Sequence, residues 1–425
     1  MSFGERLQEI REGFDRPFWV ANISELFERL SYYAAFASLA RYLHESLDFS
    51  TERAAFLAGL FGFVWFVAAF GGTVADRLGF RRALSLAYFI LSCSYFLLGS
   101  LRSSWLAPVR AVVPLFGLAL VAVILPAFGV ALVKPSVAGT TARASRENVR
   151  SLGFSIYYTL VNIGGAAGPY LASYVHHHMS VENVFRVAAL SVFLMFFAVL
   201  IFFTEPRGAE DVETPTFWQV VKNFFTVLGN ARFMLFLLIF SGFWIIYWQE
   251  YIILPIYVHD YVDARADTEL MLISGPLTVI SLQLLVSYLT KRIAAFRAVI
   301  LGTLISSLAW LLLAVEPKFW VVILTLVVIS IGEVTQAPRY YEYISRLAPA
   351  GQQGTYMGFA FLPIGIGSIV GGWFGGVLTN RYAEVAHQPA KIWWVMAGLG
   401  VLTTVLMVLY DLILRPGGAG DTKRG

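Results

Sequence analysis

The sequence predicts an all-α integral membrane protein of about twelve transmembrane helices, and composition, the spacing of apolar stretches and the placement of basic residues each point there. Of 425 residues, 58% are apolar and 14% charged, against about 45–50% and about 25% in an ordinary soluble domain. A soluble chain of this length would divide into domains joined by polar linkers, and little such punctuation is present. Lipid is the solvent that suits this composition.

A membrane-crossing helix needs about 20 mostly apolar residues. The chain supplies such stretches near 17–40, 54–75, 83–101, 111–137, 151–174 and 185–203. After a polar stretch, TEPRGAEDVETPTFWQVVKN, further spans begin near 232, 269, 294, 319, 354 and 390. The expected organisation is a six-helix half over 1–203, a cytoplasmic linker over 204–231 and a second six-helix half over 232–425. With the amino terminus inside, the cytoplasmic segments collect about nineteen Lys/Arg and the outer ones roughly nine, as the positive-inside rule requires. Both termini are then cytoplasmic.

Several function classes lose support at this level. The net charge of +4 is spread in short groups rather than one stripe, so no nucleic-acid partner is expected. A lone cysteine, Cys93, allows no intramolecular disulfide or cysteine metal cluster. The run His176, His177 and His178 reads as a solvated turn, and no metal site is assigned. The amino-terminal segment lacks the pattern of a cleaved secretory signal. GFSIY lacks the second glycine of a nucleophile elbow, and neither H-E-x-x-H nor a phosphate-binding loop occurs. An enzyme is not expected, nor is direct drive by ATP.

The segment GGTVADRLGFRRAL places Gly72, Asp76, Arg77, Gly79 and Arg81 on a tight turn after the second span. It resembles the signature loop of the major facilitator superfamily, G-x-L-A-D-R-x-G-R-R, with Phe80 in place of one base. The resemblance implies two six-helix halves, a conformational latch formed by those five residues, and alternating access to a site near the bilayer midplane. Small-residue runs such as GGAAG at 164–168 and GIGSIVGGWFGG at 365–376 suit close helix packing.

Charges inside apolar spans carry the functional reading. Glu25, Glu28, Arg29, Tyr32 and Phe36 fall at helical spacings of three and four and share one stripe of the first span. A charge at the bilayer centre costs from about 2.5 to more than 10 kcal/mol, so that stripe must face protein or water. Lys134, before Pro135 in the fourth span, is the expected partner of the first-span acids. Glu333 lies about 14 residues, roughly 21 Å, from the outer end of span ten. With Glu25, Glu28, Arg29 and Lys134 it forms a set with one excess negative charge, which suits reversible proton binding. Arg339 with Glu342 reads as an interfacial ion pair, and Glu250 either reaches outward to the interface or faces the interior.

Several segments together resemble the proton-dependent oligopeptide transporter family. ELFERLSYY is similar to its first-helix E-x-x-E-R-F-x-Y-Y motif, VKPS to its fourth-helix lysine-proline, FSIYYTLVNIGGAAGP to its fifth-helix signature and IGEVTQAP to its tenth helix. The resemblance implies proton coupling at Glu25, Glu28, Arg29, Lys134 and Glu333. It also implies a substrate cavity lined by Tyr32, Tyr33, Phe36, Lys134, Tyr157, Asn162, Trp248, Gln249 and Glu333. Two departures stand out. The arginine usual in peptide carriers seven residues after the motif arginine is Phe36, and the acid of the seventh-helix F-W-x-x-x-E-Q is Trp248 beside Gln249. An arginine and its acid are replaced together by aromatics, which makes the expected cavity more apolar.

These observations lead to an expected proton-coupled symporter of di- or tripeptides or a peptide-like small solute. It would be a monomer in the bacterial cytoplasmic membrane, with the proton as coupling ion and no cofactor. The alternative is a proton-driven antiporter that exports amphipathic compounds.

Overall fold

A computed structural model describes residues 13–206, 217–349 and 353–414. Within them the chain is helical, and its only β-bridge joins Phe14 to Ser145. Eight helical segments are long and apolar enough to cross a membrane: Leu115–Arg143, Val181–Phe202, Ala231–Ile252, Thr268–Thr290, Ala295–Val315, Phe319–Leu347, Tyr356–Val385 and Lys391–Leu414. The remaining stretches read as spans are helical as well, and their helices carry charge, including Glu25, Glu28 and Arg29 in the first, Asp76 and Arg77 in the second and Arg81 and Arg82 in the third. Contacts divide the chain into two compact units, Met1–Asp48 with Leu60–Phe217, and Phe49–Gly59 with Trp218–Gly425.

The first unit begins with α1 (Arg16–Arg41), where Pro17 stands in the first turn and its missing N–H would have had no helical partner anyway. The second span is broken into α2 (Thr51–Leu60) and α3 (Val64–Leu78) by a 3-10 turn at Phe61–Phe63. Then follow α4 (Phe80–Leu98), α5 (Leu115–Arg143), α6 (Arg150–His178) and α7 (Val181–Phe202). α1 packs on α6 and α7, and α5 packs on α3 and α4. The α1–α6 crossing depends on the small residues of GGAAG. A Cβ on Gly164 would sit 2.8 Å from Leu26 O, and one on Gly168 would sit 2.9 Å from Ala34 N and Leu30 O. Those neighbours are backbone atoms and cannot swing aside, so glycine sets the distance at which α6 supports α1.

In the turn between α3 and α4, Gly79 adopts φ +78, a region open to glycine at little steric cost. Glu205, just beyond α7, accepts a hydrogen bond from the Arg81 backbone N–H at 2.8 Å, and the Arg81 guanidinium donates to Leu200 O at 2.5 Å. The carboxylate therefore meets the N-terminus of α4, where the helix dipole favours negative charge. Phe80, the departure from the signature loop, is buried against Gly139 beneath the Arg143 guanidinium, 4.9 Å from the ring centroid. Gly72 and Asp76 lie in α3, but the Asp76 side chain lies outside the described residues.

The segment expected as a plain linker carries the helix α8 (Phe217–Leu228); residues 207–216 lie outside those described. In the second unit follow α9 (Ala231–Tyr247), α10 (Ser274–Thr290), α11 (Ala295–Val315), α12 (Phe319–Leu347), α13 (Leu362–Leu378) and α14 (Lys391–Leu414). Asn230 caps α9 by accepting from Phe233 N at 3.2 Å. α11 and α12 meet at paired glycines, since a Cβ on Gly302 would collide with Gly332 O. Residues Phe49–Gly59 belong to this unit because Gly59 packs on Gly372 of α13 and accepts from Ser368 Oγ at 2.8 Å.

Two measurements test these packing arguments. Gly168→Val should lower the apparent melting temperature of the solubilised protein, with an overpacking cost of about 1–3 kcal/mol. Gly398→Ala, where an added Cβ meets nothing within 4 Å, should leave it unchanged. Gly79→Ala should destabilise by roughly 1–2 kcal/mol through its backbone conformation alone, and an equal melting temperature for this variant would refute the role given to that turn.

Candidate functional site

The first-span stripe assembles as a compact ionic network inside the first unit. Arg29 donates from Nε and Nη2 to the two Glu28 carboxylate oxygens at 2.5 and 2.6 Å, the paired geometry that planar guanidinium favours. Glu25 Oε1 stands 3.7 Å from Arg29 Nε and 3.5 Å from Lys134 Nζ of α5. Two acids and two bases give a network without net charge. Glu25 and Glu28 are fully buried, whereas the Lys134 side chain keeps 29% of its surface accessible. Lys134 is thus the member with room to meet a solute.

Aromatic side chains continue the stripe. The Arg29 guanidinium lies over the Tyr32 ring at 4.8 Å. Tyr32 and Phe36 both stack on Phe61, with centroids 4.9 and 5.2 Å apart, and both are almost wholly buried. Phe36 therefore fills the first unit's core in this conformation rather than lining accessible space. Tyr32, Phe36 and Phe61 thus form one ring cluster beside Arg29. Tyr33 is partly exposed and packs against Gly165. The Tyr157 hydroxyl lies within electrostatic reach of Glu25, Arg29 and Glu28. Asn162 donates to Tyr158 O at 2.7 Å on its own helix and stays partly exposed.

The second unit has a different solution. Tyr247, at the end of α9, donates its hydroxyl to Glu333 Oε2 of α12 at 2.9 Å. The same hydroxyl meets the carboxylate of Glu250, which also interacts with Glu333. Glu250 is buried and Glu333 is partly buried, and among the described residues neither forms an ion pair with a lysine, arginine or histidine. Here α9 passes through a turn at Trp248, whose N–H still donates to Trp244 O at 3.1 Å, into short helices at Gln249–Ile252 and Leu254–Tyr257. Glu250 was the residue whose role the sequence left open. Its spacing of three from Tyr247 and the nearby Pro255 were the only local signals.

Trp248 and Gln249, expected to line a cavity, are buried against α13. Trp248 Nε1 donates to Ile364 O at 3.1 Å, and Gln249 Nε2 donates to Ile245 O and Gly371 O at 2.7 and 3.1 Å. Gly371 and Gly375 leave the space that this amide fills. Its donors are spent on packing. Elsewhere, Arg339 bonds Glu342 at 2.7 Å and Thr290 O at 2.9 Å. His177 and His178 face carbonyls of their own helix through Nδ1, and among the described residues no group of three potential metal ligands occurs.

Comparison with known proteins supplies the family. The model of the Major Facilitator Superfamily matches residues 21–266 and 264–425. The chain is 25% identical over 402 residues to the "Na(+), Li(+), K(+)/H(+) antiporter" of Planococcus maritimus, covering 85% of this chain and 91% of that protein. It is 23% identical over 338 residues to the "Multidrug resistance protein MdtH" of Klebsiella pneumoniae subsp. pneumoniae, covering 79% of each. Among solved structures, a POT family transporter in complex with 5-aminolevulinic acid superposes with a TM-score of 0.76 at 18% identity, over 93% of this chain and 96% of that one. A mutant of the nucleoside transporter NupG reaches the same TM-score of 0.76 at 13% identity, over 92% and 99%. These likenesses share one all-helical architecture. Its family match over most of its length, together with its apolar helices, makes this chain a member of the major facilitator superfamily, an integral multi-pass membrane transport protein consistent with a bacterial inner membrane.

Proposed function

We propose that the chain is a proton-coupled secondary transporter that takes up a small zwitterionic, peptide-like solute by alternating access. The observation that carries this reading is the division of charge within the spans: a neutral set of Glu25, Glu28, Arg29 and Lys134, and the acid pair Glu250 and Glu333, which has no basic partner among the described residues. Two carboxylates that meet at one phenol repel if both are ionised, a repulsion that a proton or a solute amine relieves. Lys134, partly exposed, is the group for a solute carboxylate, and Glu333 the group for an amine. Tyr33, Tyr157 and Asn162 supply the remaining polar contacts, while Trp248 bounds the apolar side.

The reading includes twelve spans in two six-helix halves, 1–203 and 232–425, with both termini cytoplasmic and the protein acting as a monomer. The helices over all twelve apolar stretches and the excess of basic residues in the inner segments support it. Gly79 and Arg81, tied to Glu205 and Leu200, act with Gly72, Asp76 and Arg77 as the conformational latch. No cofactor enters the scheme.

Proton-driven export of amphipathic compounds is the second reading. The names of the antiporter and multidrug relatives favour it, as do the Tyr32, Phe36 and Phe61 stack and the absence of the usual arginine.

Purified protein in liposomes should accumulate a labelled dipeptide only under an inward proton gradient, and accumulation independent of that gradient would sink the coupling proposal. Glu25→Gln and Glu333→Gln should each abolish accumulation while sparing solute exchange. Glu250→Gln should reduce the protons moved per solute. In cells, sensitisation to toxic peptides supports uptake, whereas protection against lipophilic dyes replaces it with the export reading.

A further inference from the structure

A groove on the second unit stands apart from every residue assigned to transport. It runs between α9 and α14, has a volume of about 580 Å³ and is lined by apolar residues that include Leu238, Ile239, Leu402 and Leu406. Leu238 and Leu402 are 62% and 53% exposed, so the groove opens on the outer face of two membrane-length helices. On α9 the lining extends from Leu235 to Ile245, about 15 Å at the helical rise. That is the depth of one leaflet, half of a hydrocarbon core about 30 Å thick.

One end of the groove is polar. Tyr410, which lines it, donates its hydroxyl to Arg232 O at 3.2 Å, and the Arg232 guanidinium acts on the same hydroxyl. Arg232 is exposed, one helical turn before Leu235, and among the described residues no carboxylate pairs with it. Asp411 acts instead on Tyr343 of α12. At Gly242 the helices touch, since a Cβ there would collide with Thr403 Oγ1. That contact forms the floor.

We propose that this groove seats one acyl chain of an anionic phospholipid, with the phosphodiester on Arg232. The length of the groove and its one polar end suit a single lipid chain with a charged headgroup. An acyl chain needs only the length of one leaflet, which the lining along α9 supplies. The guanidinium, which has no carboxylate partner among the described residues, decides the headgroup. An anionic lipid neutralises it, whereas a zwitterionic one brings its own ammonium to the same place.

Native mass spectrometry of the full chain, extracted from vesicles with equal phosphatidylglycerol and phosphatidylcholine of one chain length, tests the proposal. Wild-type protein should retain the phosphatidylglycerol about fivefold more, the factor that one basic residue contributes toward an anionic headgroup. Arg232→Gln should bring the two lipids level, and Leu402→Trp, which fills the groove from its exposed side, should remove the retained lipid. Size-exclusion elution and the melting temperature in phosphatidylcholine show that both variants remain folded. Equal retention by the wild type, or retention unchanged by both substitutions, overturns the proposal. So does a dimer that Leu402→Trp abolishes, which would assign the groove to a second copy.

Discussion

The first unit is organised around the cost of keeping Glu25 away from water. A buried carboxylate is tolerable only with cations close by, and it has two, Arg29 one turn along its own helix and Lys134 on α5. That requirement fixes the rotation of α1, because the stripe bearing Glu25, Glu28 and Arg29 must face α5. Once the rotation is fixed, Leu26, Leu30 and Ala34 face α6, where only glycine at 164 and 168 permits the approach. Packing and electrostatics therefore specify the same orientation, and removal of one base would leave an uncompensated charge in the core.

Among the described residues, the second unit solves the same problem without bases. Glu250 and Glu333 converge on the Tyr247 hydroxyl where α9 ends. The backbone hydrogen bonds run on through the turn at Trp248, from its N–H to Trp244 O and from the Ile252 N–H to Trp248 O. Trp248 and Gln249 spend side-chain donors on α13 carbonyls, which anchors the turn. Two aromatic substitutions, at Phe36 and Trp248, thus have structural homes in separate units: one in a ring stack, the other in a hydrogen bond to a neighbouring helix. Replacement of a buried ion pair by well-packed apolar groups need not lower stability.

Much of this was legible in the sequence because lipid imposes a strong rule: apolar stretches of set length become helices, and charges within them require partners. The helical spacing of Glu25, Glu28 and Arg29 announces a shared face, and Lys134 stands out as a base inside an apolar span. What stayed hidden depends on contacts between residues far apart in the chain. Glu250 became interpretable only when Glu333, 83 positions later, was seen to share its tyrosine. Gln249 looked available for a solute, yet the space left by Gly371 and Gly375 draws its amide into packing. Phe80 looked like a lapse from a signature, but Gly139 and Arg143 form a place for its ring. The helix α8 was missed because the surrounding TEPRGAEDVETP reads as polar linker, which masked the amphipathic run FWQVVKNFF.

The two charge sets also differ in how they respond to a solute, and on the proposed reading that difference supplies the coupling. When Lys134 turns toward a solute carboxylate, Glu25 keeps only Arg29 at 3.7 Å, and Arg29 is already committed through two hydrogen bonds to Glu28. Glu25 is then left with one shared cation in an apolar surround. In the acid pair, an amine that arrives at Glu333 instead adds a positive charge between two carboxyl groups. One set therefore loses a cation when negative charge binds, and the other gains one when positive charge binds. A zwitterion engages both, whereas an apolar cation engages only the second, so the chemistry of the solute determines which charge set it disturbs.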